Sequence, residues 1–208
     1  MLEVDRALAA LLMLVGCGDA VERPHEADSG AHEEHASSLV VRWVGVVEET
    51  DVRVAALVGA GQSRLYFCGG ADSYLTATHW FDIAFNSEHL EYQDELWRIH
   101  AHLTSGAVVG EIERAGDGVR MFNARAFGRG TIAGLYEGKA ACGHVGMIVT
   151  QPTESDEPTA QGACVSAAGA APQRVHALTP IKLQDGKLMV QTADDGNVLL
   201  QTATLESF

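Results

Sequence analysis

The feature that most constrains this chain is a pair of consecutive hairpins whose turns and cross-strand partners can be checked against each other. A two-residue turn at Ser105-Gly106 sets Ile99 opposite Ile112, His100 opposite Glu111 and Arg98 opposite Glu113. A second turn at Gly116-Asp117 then sets Ile112 opposite Met121 and Glu113 opposite Arg120. Apolar residues meet apolar residues and acids meet arginines, and a slip of one residue would flip every side chain to the other face. The same logic recurs near the C-terminus. A turn at Asp185-Gly186 pairs Ile181 with Val190 and Leu183 with Leu188, and a three-residue loop Asp194-Asp195-Gly196, with Gly196 in the left-handed position, places Val190 opposite Leu200.

Further strands are expected at 39–47, 52–58, 64–68, 132–136 and 145–149, where short β-branched or aromatic runs lie between Gly turns. Residues 73–94 suit a strand or a short helix, and the strand reading is preferred. Gln151 to Gly162 and Ala167 to Pro172 read as loops, because proline, acidic and small residues interrupt any period. The sum is an all-β fold, an antiparallel meander of about 10–12 short strands closed into a barrel or folded as a two-sheet sandwich. It occupies residues 39–208 as one domain, long enough to bury roughly 70% of its unfolded surface.

Composition limits the partners. Lys and Arg number 14 against 28 Asp and Glu, a formal net charge of −14, which argues against a nucleic-acid partner. With 47% hydrophobic and 20% charged residues, the chain as a whole is not of the disordered class. At its start, Arg6 precedes an apolar run from Ala7 to Val15 that is too short to span a bilayer as a permanent helix, which takes about 20 residues. The tetrad Leu14-Val15-Gly16-Cys17 that ends the run resembles the lipobox of bacterial lipoproteins. That resemblance implies a signal peptide over residues 1–16, a Cys17 that carries lipid, and a protein held at the cell envelope, in the outer membrane where two membranes exist. The folded region resembles small bacterial lipoproteins that bring no known activity.

Residues 17–38 then read as an acidic, disordered tether, since six acids face Arg23 alone between Gly18 and Ser38 without apolar period. His25, His32 and His35 lie in it and could offer imidazoles to Zn or Cu. With Cys17 lipidated, Cys68, Cys142 and Cys164 remain, an odd number that permits one internal disulfide. Cys142 with Cys164 is preferred because it would staple the acidic loop, and Cys68 with either of them is the alternative.

Three constellations could carry chemistry. His100 and His102 alternate on one strand face with Glu111 opposite the first, a possible Zn or Cu site, although Arg98, Glu113 and Arg120 on that face favour ion pairing. Asn123, Arg125 and Phe127 share a face that could line a ligand cup, with Val119 and Met121 beside them expected to be buried. The stretch from Phe67-Cys68-Gly69-Gly70 to Thr78-His79-Trp80 resembles the approach to the catalytic histidine of trypsin-like serine proteases. That family also requires a Gly-Asp-Ser-Gly-Gly run, which this chain lacks, so His79 as the histidine of an envelope hydrolase is the weakest expectation. The sequence therefore points to a non-enzymatic binding or structural β domain with no required cofactor, anchored to membrane by its lipid, whose partner is an envelope protein or a small ligand. Metal capture is the alternative.

Overall fold

The computed structural model describes residues 41–59, 61–86, 88–127, 130–166 and 169–205. Residues 1–16, read as a signal peptide, Cys17, and His25, His32 and His35 of the segment read as a tether lie outside these. Fifteen antiparallel strands and one short helix make up the described fold, more strands than the sequence suggested. They form two closed sheets and no sandwich.

The first barrel comprises β1 (Val41–Val47), β2 (Arg53–Gly59), β3 (Gln62–Cys68), β4 (His79–Asn86), β5 (His89–Gln93), β6 (Trp97–Leu103), β7 (Ala107–Arg114) and β8 (Gly118–Arg125), each paired with its successor. Pairing of β1 with β8, from Val44 opposite Arg125 to Val47 opposite Phe122, closes it. The helix α1 (Tyr74–Ala77) lies between β3 and β4 within the stretch expected to be strand. The second sheet contains β9 (Gly134–Ala140), β10 (Gly143–Thr150), β11 (Thr159–Val165), β12 (Gln173–Ala177), β13 (Leu183–Gln184), β14 (Lys187–Thr192) and β15 (Gly196–Thr202), ordered β12-β11-β10-β9-β15-β14-β13. An added β12–β14 pairing closes six of these strands into a ring. Thr159 to Gly162, read as loop, begins β11.

Side-chain alternation explains which walls face water and which face protein. Along β6, WRIHAHL, the residues Trp97, Ile99 and Ala101 are buried and Arg98, His100 and His102 are exposed, so that wall is solvated on its outer side. Along β2 and β3 burial is continuous, as in Val54-Ala55-Ala56-Leu57-Val58, because both faces are covered. Val54, Ala56, Leu65 and Phe67 point into the first barrel with Phe81, Ile99 and Phe122. Val44, Ala55, Leu57, Tyr66 and Cys68 point outward and pack on Leu135, Ile148 and Ala163 of the second. Gly146 in β10 makes this contact possible, since a Cβ there would fall 2.5 Å from Trp80 Cζ2.

The hairpin registers test the sequence reading strand by strand. The Ser105-Gly106 hairpin forms as expected, with Ile99 opposite Ile112, His100 opposite Glu111 and Arg98 opposite Glu113. The next one is shifted by a residue, so that Ile112 faces Arg120, Glu113 faces Val119 and Glu111 faces Met121. The cause is a three-residue loop, Ala115 to Asp117, with Gly116 at φ 92° and Gly118 at φ 76°, conformations that glycine adopts without the Cβ penalty. Val119 and Met121, expected to be buried, are consequently 51% and 40% exposed, and Phe122 and Ala124 fill the interior. In the second sheet Leu183 faces Leu188 as expected, but Ile181 lies outside the two-residue β13. Val190 faces Val198, while Leu188 faces Leu200, with Gly196 at φ 69°.

Candidate functional site

Four connections of the first barrel meet at one end: Glu48 to Val52, Gly69 to Thr78 with α1, Asp94 to Leu96, and Ala115 to Asp117. They surround a cup of about 320 Å³ whose floor is Val47, Val52, Phe67, Trp97 and Ile112. Thr50, Ser73 and Thr76 supply hydroxyls at its wall, and Arg114 and Arg120 complete the rim. Below the floor the interior is filled by side chains, with Phe67 in edge contact with Phe81 and Phe122.

The rim is organised by its own polar groups. Asp51 accepts hydrogen bonds from the Asp72 N–H (2.8 Å) and from Ser73 Oγ, joining the first connection to the helical one. Burial works to raise the Asp51 carboxyl, but these hydrogen bonds outweigh it and leave the group below the usual carboxylate range. Arg114 Nη1 donates to Asp117 at 2.9 Å while its guanidinium stands 5.9 Å from the Trp97 ring centroid. Arg120 Nη1 donates to Glu49 at 3.2 Å. Both partner carboxylates are exposed, so each arginine can exchange its carboxylate for a ligand anion at little cost. Leu75, Leu96 and Val119, three of the exposed large apolar side chains, stand on these same connections or at the start of β8.

The sequence-expected site residues fall elsewhere. Asn123 and Arg125 do not line a cup: with Phe122 and Ala124 inward, they occupy the outer face of β8, where Arg125 Nε donates to Asn123 Oδ1 at 3.4 Å. His79 lies at the mouth end of β4, its ring 4.5 Å from Phe81 and 5.8 Å from Trp97 between centroids. Burial holds its pKa below the usual histidine value, against the raising effect of Asp94. Among the described residues no hydroxyl or thiol hydrogen-bonds to it. Its setting is that of a packed aromatic neighbour rather than a base beside a nucleophile.

His100, His102 and Glu111 do share the outer face of the barrel, and β5 adds two residues that sequence pairing did not reveal. His89 stands opposite His102, and Glu91 opposite His100. Arg98 takes Glu113, while Arg120 leaves this face because of the shifted register. A depression of about 330 Å³ is lined by His89, Glu91, His100, His102 and Glu111. Among the described residues, no three such groups converge as a metal-binding set.

Cys142 and Cys164 are joined by a disulfide, which ties the turn between β9 and β10 to β11. Cys68 remains a buried thiol, and desolvation pushes its pKa up to about 11, so it stays protonated and inert as a nucleophile at neutral pH.

One polar cluster escaped sequence reasoning. Glu137 of β9 is 1% exposed and takes His144 Nε2 at 3.1 Å, the Thr204 N–H at 3.0 Å and Arg64 Nη1 at 3.9 Å. Arg64, 4% exposed, also donates to Asp82 at 2.7 Å and to the Thr204 carbonyl at 3.1 Å. The Trp80 ring stacks on His144 with centroids 4.6 Å apart, and Tyr66 stacks on Trp80 at 4.1 Å. These partners come from distant parts of the chain, so local periodicity holds no trace of them. No protein family, curated protein or solved structure matches this chain.

Proposed function

We propose that this protein is a lipid-anchored bacterial envelope lipoprotein whose first barrel is a non-enzymatic binding module for a small amphiphile. The observation that carries the binding reading is the mouth of that barrel, where an apolar floor meets two arginines whose carboxylate partners are exposed. Such a cup fits an apolar body with an anionic group. The exposed Leu75, Leu96 and Val119 beside the mouth suit the transfer of a ligand from an apolar phase. The anchor rests on the tetrad Leu14-Val15-Gly16-Cys17 and the acidic segment after it. Placement in the outer membrane is part of the same proposal.

The binding reading is tested with anilinonaphthalene sulfonate, an apolar dye bearing one anion. Saturable dye fluorescence with energy transfer from tryptophan is expected, weakened about tenfold by Arg120→Glu and little changed by Arg125→Glu on the outer wall. Equal affinity in both variants contradicts the reading. For the anchor, Cys17→Ala is expected to move the protein from the membrane to the soluble fraction, and retention at the membrane contradicts lipidation.

Divalent-metal capture is a second reading, favoured by the two added residues His89 and Glu91 beside His100, His102 and Glu111. Binding there requires the exposed side chains to rotate toward one point. A thermal shift with Zn or Cu that persists in a chain starting at Leu39 and vanishes in His100→Ala supports it over capture by the tether alone.

A further inference from the structure

The chain has three lysines, at positions 139, 182 and 187, among its 28 acids. Two of the three line one cleft of the second sheet. Its walls are Glu137, Gly138, Lys139, His144, Lys187, Leu199 and Gln201, around a volume of about 310 Å³. Lys139 of β9 stands directly opposite His144 of β10, and Gln201 of β15 directly opposite Glu137. Opposed residues in such a ladder have their Cβ atoms about 4.5–5.5 Å apart.

Two facts set this cleft apart from a solvated surface. In a chain of net charge −14, neither Lys139 nor Lys187 has a carboxylate within ion-pair distance among the described residues. Second, the wall beside Lys139 is rigidly built. Glu137 is buried and holds His144 from one side, Trp80 stacks on the imidazole face, and Arg64 and the Thr204 N–H engage the Glu137 carboxylate. The fixed His144, two lysines, Gln201 and Glu137, whose carboxylate charge Arg64 offsets, therefore line one space. Ammonium groups bind phosphate oxygens as point charges, and two that lack carboxylate partners around one cleft favour a multiply charged oxyanion over a monoanion.

We propose that this cleft binds a phosphate group, carried by a molecule larger than the ion itself. The volume exceeds that of inorganic phosphate, and Leu199, 48% exposed, provides an apolar wall beside it. The chemistry is common to free phosphate esters and to phosphorylated lipid headgroups. The proposal is independent of the barrel mouth, which lies on other strands.

The test uses the full chain with two probes, glycerol phosphate in solution and vesicles of phosphatidylcholine with or without phosphatidic acid. Calorimetry with the first and co-sedimentation with the second are compared for the native protein, Lys139→Gln/Lys187→Gln and Lys182→Gln. The expected result is saturable binding of at least one probe, weakened about a hundredfold by the double substitution and unchanged by Lys182→Gln. Binding of glycerol phosphate identifies a soluble ester as sufficient, and binding of phosphatidic acid vesicles alone identifies the lipid source. Absence of binding to both probes overturns the proposal. So does equal weakening by Lys182→Gln, which would mean attraction by net charge alone.

Discussion

The two closed sheets of this protein are stabilised in different ways. The first is a meander in which each strand pairs with its successor, and its interior is filled by large aromatic rings, Phe67, Phe81, Trp97 and Phe122. The second adds pairings between non-consecutive strands, β9 with β15 and β12 with β14, around a mainly aliphatic interior of Val145, Met147, Val149, Leu188, Val190 and Leu200 with Tyr136. It alone contains the disulfide, Cys142–Cys164. Each sheet is closed by a distant pairing, β1 with β8 in the first and β9 with β15 in the second, so the contrast lies in the interiors, where the large rings of the first supply ample buried area. Where the interior side chains are smaller, a cross-link that limits the unfolded chain adds stability beyond packing.

The largest expected effect breaks the aromatic side of this contrast. Phe122→Ala removes a ring at the centre of the first barrel and is expected to cost about 4 kcal/mol in denaturant unfolding. A loss below about 1 kcal/mol would mean that the rings do not carry this core. Next comes the joint between the sheets. Glu137→Ala removes the buried carboxylate beside the buried Arg64, at a cost of about 3 kcal/mol, and is expected to split unfolding into two transitions in calorimetry.

Replacing Cys142 and Cys164 by alanine together is expected to cost about 2 to 3 kcal/mol. Hydrogen exchange should accelerate in β9 to β12 and hardly change in β5 to β7, and uniform acceleration would deny the division of labour. The smallest effect concerns pH. His79 sits in the first barrel with its pKa below 6.5, so the folded state resists its protonation while the unfolded state does not. Its contribution is complete above pH 6.5 and erodes as pH falls below that value. In His79→Gln, the decline of the urea midpoint between pH 7 and pH 5 should be shallower than in the native protein.

How much of this was legible in the sequence follows the same division. The Ser105-Gly106 hairpin was readable because turn and cross-strand pairs are local and agree. At Gly116 the loop is one residue longer than expected, and one residue inverts faces, which is why Val119 and Met121 are exposed and why Asn123 and Arg125 line no cup. At Gly196 the register differs by two, and two residues preserve faces, so Leu188, Val190 and Leu200 are buried as their alternation suggests. The continuous apolar runs of β2 and β10 are covered on both sides, and nothing local says what covers them. The mouth of the first barrel and the Glu137 cluster are assembled from segments far apart in the chain. No period or spacing encodes such meetings.

The most direct test of the binding reading is methyl-resolved NMR of the full chain titrated with decanoate, an apolar chain with one carboxylate. Saturable shifts are expected at the methyl groups of Val47, Val52 and Ile112, which form the floor of the cup, with none at Val145 or Val149 inside the second sheet. Shifts confined to the second sheet, or no saturable shift at the floor, would contradict the assignment of the mouth as the binding site.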